Sequence, residues 1–291
     1  MQITVSSAAK RAVVVAAIVG AVFATTSTAA SSVDKAAAAL VPAKIKAKGS
    51  VVVAADASYP PNEFIGPDGH SVVGMDVDLA NALFGILGLK AKVVNATFDT
   101  IIPNLASKFD VGMSSFTDTK VREKTVNFVD YYEAGTSFFE KSAGGPAVTN
   151  LNSICGLKIA VESGTTELTD AQTQAKKCTA EHKTPDTVLS YPTQSNANLA
   201  LSSGRAQVGM ADSPVAAYQV KQSNGAFKLV GQSYGVAPYG IAVPKSDGSL
   251  NQAILAALKD LVKSGQYVAI LKKWGIQSGA DSHPALNGAI S

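Results

Sequence analysis

Arg122 stands five residues beyond Thr117, the last hydroxyl of a Ser115-Phe116-Thr117 run. That run follows FDVGM, an apolar stretch of the kind that ends a buried strand. A guanidinium beside two hydroxyls at a strand end can receive a small anion such as a carboxylate, because it offers two parallel charge-assisted donors in one plane. Acids occupy comparable places elsewhere. Asp56 closes the run SVVVAAD and precedes Ser58 and Tyr59, Glu162 follows LKIAV and precedes Thr165 and Thr166, and Asp212 closes AQVGMAD. Phe98 follows another strand-like run, KAKVVNA. Each residue also has a plainer role: a surface pair with Glu123 or Asp118 for Arg122, a helix cap for Asp212, core packing for Tyr59 and Phe98.

The elements around these residues alternate strand and helix. SVVVAAD is a continuous apolar run, as a buried parallel strand requires. In GMDVDLANALFGILGL, Leu79, Leu83, Ile86 and Leu87 recur at helical spacing, with Asp76 and Asp78 in the first turn, where the positive helix end favours acids. KAKVVNA, the short helix FDTIIPNLAS and FDVGM complete a βαβαβ series. A second series follows: strand 157–161, helix 165–177, strand 187–191, helix 194–203, strand 206–212 and helix 213–222. Such alternation implies mostly parallel sheets with helices on their faces. Extended runs GTSFFEKSAGGPAV and YGIAVPK pass between the two series, and two further helices end the chain. The expected architecture is α/β and two-lobed. Lobe 1 is discontinuous (49–142 and 239–291) and lobe 2 spans 143–238, with a two-strand hinge and a cleft between them. In open α/β sheets ligands sit beyond the carboxyl ends of the strands, so the strand-end residues above converge on that cleft.

The chain of 291 residues is 46% hydrophobic and 16% charged. Lys10 and Arg11 precede the apolar run AVVVAAIVGAVFA and the small-residue stretch TTSTAAS, so residues 1–30 read as a secretory signal peptide, too short to span a bilayer. Residues 31–48, rich in Ala and Lys, read as a flexible leader. Removing the signal leaves 23 basic against 22 acidic residues, and no basic cluster points to nucleic acid. Cys155 and Cys178 flank a strand-helix crossover that returns to the same sheet edge. In an oxidising compartment an even count favours a disulfide over two free thiols. His70, His182 and His283 are scattered without metal spacing, and neither a nucleophile elbow nor a phosphate- or dinucleotide-binding Gly motif is present. No cofactor or metal is expected.

With Gly74-Met75-Asp76-Val77-Asp78-Leu79 opening a helix, together with GTT at 164–166, DSPVAAY at 212–218 and PYGIAVPK at 238–245, the sequence resembles the bacterial extracellular solute-binding proteins of family 3. These are the polar amino-acid receptors of ABC importers, with a periplasmic-binding-protein type II fold. The resemblance runs from about residue 50 to 275. It departs at Met75, at Asn62, where an aromatic commonly follows the double proline, and at Lys120, where many members have proline. It implies that Arg122 grips the α-carboxylate of an amino acid with help from Ser115 and Thr117. Thr166 would add donors from the other lobe and Asp212 would take the α-ammonium. The expected partners are a small-molecule L-amino acid and a membrane-embedded permease, with the protein monomeric and secreted, periplasmic where an outer membrane exists. Asp56 and Glu162 would face the ligand side chain, walled by Tyr59 or Phe98. Two carboxylates there favour arginine, lysine or ornithine, then glutamine or histidine. Two other readings share this fold. One is a dehydratase-type enzyme, for which Glu162 is the only nominee as acid or base. The other is a ligand-sensing subunit with a separate membrane partner.

Overall fold

The computed structural model describes residues 33–290; the expected signal peptide lies outside them. The chain opens with helices α1 (Lys35–Ala39) and α2 (Ala43–Lys48), followed by strand β1 (Ser50–Ala55). A small antiparallel sheet then forms from β2 (Ser58–Tyr59), β3 (Glu63–Ile65) and β4 (Val72–Val73). Next come α3 (Met75–Ile86), β5 (Lys90–Asn95), α4 (Phe98–Ile101), β6 (Val111–Gly112) and the long β7 (Val126–Lys141). The second series is β8 (Lys158–Glu162), α5 (Thr166–Ala180), β9 (Thr187–Tyr191), α6 (Gln194–Ser202), β10 (Val208–Asp212) and α7 (Ser213–Gln222). The chain returns along β11 (Phe227–Pro244) to α8 (Leu250–Ser264) and α9 (Gln266–Trp274).

Both series feed one sheet in the order β5-β1-β6-β11-β7-β10-β8-β9. β1 pairs in parallel with β5 and β6 on one side, and β8 pairs in parallel with β9 and β10 on the other. The antiparallel strands β7 and β11 run through both halves, so two lobes share two connecting strands. Their register slips between Val230 and Tyr234 and again between Tyr234 and Ala237, next to Gly135 and Gly235. Such irregularities bend a strand pair locally, as a hinge requires. One core backs each half, with Leu79, Leu83, Ile254 and Leu258 in the first and Ile159, Val161, Val208 and Met210 in the second, and a third cluster joins Ala54, Phe98 and Phe116 to Leu201, Ala211 and Val215 between them.

Three local outcomes differ from or sharpen the expectations. Within the leader expected over 31–48, the described part is two short helices rather than flexible chain. Asp34 caps α1 by accepting from Ala36 and Ala37, and Ala37, Val41 and Ile45, spaced by four, are buried in the first core. The alanine-rich composition conceals that stripe. Between Asp56 and Gly74, where the sequence suggested no element, strands β2, β3 and β4 form. Cys155 and Cys178 form a disulfide that ties the start of the β8 crossover to the last turns of α5, as expected. No described helix is long and apolar enough to cross a membrane.

Candidate functional site

The segment after β6 turns sharply at Ser115, whose φ is +51°, a left-handed value that costs energy for a residue with a Cβ. This turn sends neighbouring side chains different ways. Phe116 is buried and stacks on Phe98, ring centroids 4.5 Å apart. Ser115 points inward: its hydroxyl lies 3.3 Å from both Glu63 and Asp76 and accepts from the Asn62 amide at 2.9 Å. Thr117 pairs with Tyr239 of β11 through an isolated bridge. Arg122, in a single 3-10 turn, reaches back over the Phe98 and Phe116 rings at 5.4 and 5.6 Å. It donates to the Thr117 carbonyl at 2.7 Å and, across the cleft, to the Gly164 carbonyl at 2.9 Å. Glu123 takes Lys120 as its ion-pair partner rather than Arg122. Burial lowers the guanidinium pKa, and the charges of Glu167 and then Asp212 oppose that shift. The group stays charged, since it starts far above neutral pH.

A second corner of the cleft is acidic. Asp56, just past β1, is 2% exposed; it accepts from the Phe98 N–H at 3.0 Å, while its own N–H donates to Ser114 Oγ at 2.8 Å. Tyr59 on β2 tilts against Phe98 at 5.9 Å. Glu162 closes β8 from the opposite lobe and is 1% exposed, yet neither of its oxygens, nor the Tyr59 hydroxyl, closes a hydrogen bond of good geometry. Burial pushes the Glu162 carboxyl up to about 10, with the Asp56 charge as the second cause. Burial raises Asp56 as well. Neither acid has a salt-bridge partner among the described residues.

The third group comes from the second lobe. Thr165 is the N-cap of α5: its hydroxyl accepts from Leu168 N–H and donates to the Glu162 carbonyl at 2.8 Å. It is thereby committed to the helix start. Thr166 and Asp212 line a cavity of about 150 Å³, with Thr117 and Thr119 from the first lobe and Thr136 and Asp170 behind. Asp212 sits at the N-cap position of α7 but makes no side-chain cap bond, so its carboxylate is not spent on the helix. Burial, then the charge of Glu167, holds it well above the usual carboxylate range.

Residues 51–277 match the family described as bacterial extracellular solute-binding proteins, family 3. The chain belongs to this family. It is 35% identical over 251 residues to an arginine-binding protein of Corynebacterium glutamicum, an alignment covering 86% of this chain and 82% of that one. Among solved structures it resembles an ancestral arginine-binding protein bound to arginine, at 35% identity and TM-score 0.71, over 78% of this chain and 98% of the other. It also resembles an ancestral amino acid-binding protein titled as a precursor of cyclohexadienyl dehydratase, at 32% identity and TM-score 0.71, over 79% and 97%.

In this family 3 protein Asp56, Tyr59, Phe98 and Glu162 meet in one corner, Thr117, Thr166 and Asp212 line one cavity, Arg122 reaches from Thr117 to Gly164, and Phe116 packs beneath in the core. Ser115 and Thr165 face the chain itself. Three acids close by were not among the expected site residues. Glu167, 4% exposed, accepts from Thr136 and Thr166. Glu63 and Asp76 lie fully buried beneath Ser114 and Ser115. Glu167 and Asp76 stand in first helical turns, where acids are ordinary and do not by themselves point to a site.

Proposed function

We propose that this family 3 protein is the substrate-binding component of an ABC importer. It takes a polar L-amino acid, preferably a cationic one, into the cleft and delivers it to a membrane permease. Arg122 meets the α-carboxylate with the Thr117 segment, and Thr166 and the N-terminus of α5 add donors from the other lobe. Asp212 receives the α-ammonium. Lobe 1 (49–142 and 239–291) and lobe 2 (143–238) would close on each other about β7 and β11, and the register slips between Val230 and Ala237 support a hinge there. The signal peptide reading places the protein outside the cytoplasmic membrane, in the periplasm where there is an outer membrane.

The observation that carries the cationic preference is the pair Asp56 and Glu162. Two buried carboxylates from opposite lobes face each other with no cation supplied by the chain. Burial holds Glu162 protonated without a ligand; a guanidinium or ammonium between the two acids ionises it, pairs both carboxylates and draws the lobes together. Aromatic walls at Tyr59 and Phe98 add a cation–π contribution of about 0.5–2 kcal/mol. This is a binding role rather than an enzymatic one. Glu162 is occupied in this scheme by charge pairing, not proton transfer.

Calorimetric titrations with L-arginine, L-glutamine and L-glutamate in one buffer test the assignment. Arginine should bind most tightly and glutamate least. Tightest binding of glutamate would sink it, tightest binding of glutamine would remove Glu162 from the side-chain pocket, and turnover of arogenate or prephenate would restore the enzyme.

A further inference from the structure

Glu63 and Asp76 lie outside the cleft, yet both carboxyls are fully buried and share one hydroxyl. Ser115 Oγ stands 3.3 Å from Glu63 Oε2 and 3.3 Å from Asp76 Oδ2, and it has a single proton to give. The remaining donors are neutral. Ser114 Oγ donates to Glu63 Oε1 at 2.9 Å, Ser115 N–H donates to Asp76 Oδ2 at 3.0 Å, and Tyr131 Oη reaches Asp76 Oδ1 at 2.7 Å. Neither acid forms an ion pair with a described residue. Lys273, on α9, which packs against α3, is taken by Asp78 two residues further along α3. The other titratable groups facing the pair are Asp56, Tyr131 and Tyr132, none of them a cation at neutral pH. Two ionised carboxylates so placed would repel without compensation, whereas one proton between them turns the repulsion into a hydrogen bond.

The pair also connects to the site. Ser114 Oγ, which donates to Glu63, accepts from the N–H of Asp56, and Ser115 N–H, held by Asp76, belongs to the left-handed turn that leads to Thr117 and Arg122. We propose that Glu63 and Asp76 hold one proton between them and act as positioning residues, fixing the Ser114–Ser115 turn and the Asp56 backbone in the arrangement that binds ligand. The positioning role rests on the binding function above; the shared proton does not. The direction of the linkage follows from the raised values, Asp76 at about 6 and Glu63 well above the ordinary range, each with burial as the first cause. The turn is held while the proton is bound and loosens as pH rises through the pair's upper titration.

Two measurements on the whole protein test this. In infrared spectra near neutral pH, the wild type minus Glu63→Gln difference should contain one protonated-carboxyl band, and wild type minus Asp76→Asn should show the same. A difference with no acid band would overturn the shared proton. In arginine titrations from about pH 7 to about pH 9.5, wild-type affinity should fall by about tenfold per unit above the pair's titration, while Glu63→Gln, which keeps its hydrogens at every pH, should lack that fall. The ligand's own α-ammonium titrates equally against both proteins, so the readout is the gap between the curves. Parallel curves would overturn the positioning role. Failure of wild type to bind any amino acid, with the acid band present, would overturn the binding function and the positioning role but leave the shared proton standing. Circular dichroism confirms folding, and Asp76→Asn repeats both arms should Glu63→Gln unfold.

Discussion

Glu162 is buried at a strand end with no internal cation, which is a poor choice for stability and a sensible one for recognition. Natural chains accept such conflicts where a ligand resolves them. Glu162→Gln keeps the shape and removes the charge. Arginine should then lose about 1.5–3 kcal/mol, the usual worth of a hydrogen bond to a charged group, while L-glutamine keeps its affinity within a few-fold. Calorimetry on both ligands measures the ratio, and equal losses would place Glu162 outside the side-chain pocket. Asp56, Glu162 and Asp212 were legible because each terminates an apolar run, and strand ends in a parallel sheet face the ligand crevice. Ser115 was misjudged because composition cannot show the left-handed turn that swings its hydroxyl inward. Glu63 was invisible for a related reason. Its strand β3 is only three residues long and follows Pro60-Pro61 closely, too short to show a strand pattern.

At the scale of elements, β7 carries more than its apolar pattern suggested. The expected extended run began near residue 135, whereas the strand starts at Val126 and joins both lobes. Its first-lobe edge, opposite β11, is covered by the C-terminal tail. Asp130 N–H donates to the Ala285 carbonyl at 3.0 Å, Phe128 and Asn287 exchange bonds at 2.7 and 3.1 Å, and Gly288 N–H donates to Asp130 at 2.8 Å. Nothing in the tail's sequence announces a strand, since most of its contacts use backbone or a single Asn, which is why it went unread. Covering an edge also blocks pairing with other chains. Deleting residues 281–291 should lower stability by about 2–4 kcal/mol, from several bonds each worth about 0.5–1.5 kcal/mol net. The same deletion should change the pH profile. Burial raises Asp118 to about 7 and Asp130 to about 6, the former also through the charge of Asp130. Raised carboxyls contribute stability in full below their ordinary value near 4, and the contribution is lost as pH rises through 6 to 7. Full-length protein should therefore unfold at lower temperature at about pH 8 than at about pH 5, and the truncated form, with the pair opened to water, should show a smaller difference. Thermal unfolding at the two pH values reads both effects, and identical slopes would detach the acids from the tail.

At the scale of the whole molecule, two repeated α/β series and two connecting runs were enough to read the two-lobed plan. The closeness of the lobes was not readable, because it depends on backbone approach rather than on side-chain type. Arg122 reaches the Gly164 carbonyl, Gln194 N–H donates to Ser58 Oγ at 3.1 Å, and Phe64 meets Tyr218 with ring centroids 6.5 Å apart. Gly164 is the tightest of these crossings. Its φ is +80°, and a Cβ there would lie 2.8 Å from Asp99 Cβ across the cleft. Gly156, in the same lobe, has the same φ of +80°, but its Cβ would meet nothing nearer than 3.7 Å. Alanine at either position pays the left-handed penalty of about 1–2 kcal/mol, and should lower thermal stability comparably. Only Gly164→Ala also obstructs the approach of the lobes. It should therefore weaken arginine binding by at least about tenfold, about 1.4 kcal/mol, and leave the arginine-saturated protein larger in solution scattering. Gly156→Ala should bind and close like wild type. Should the two variants show the same affinity and the same radius with arginine, the lobes need not come this close to hold the ligand, and Glu162 could not reach it together with Asp56.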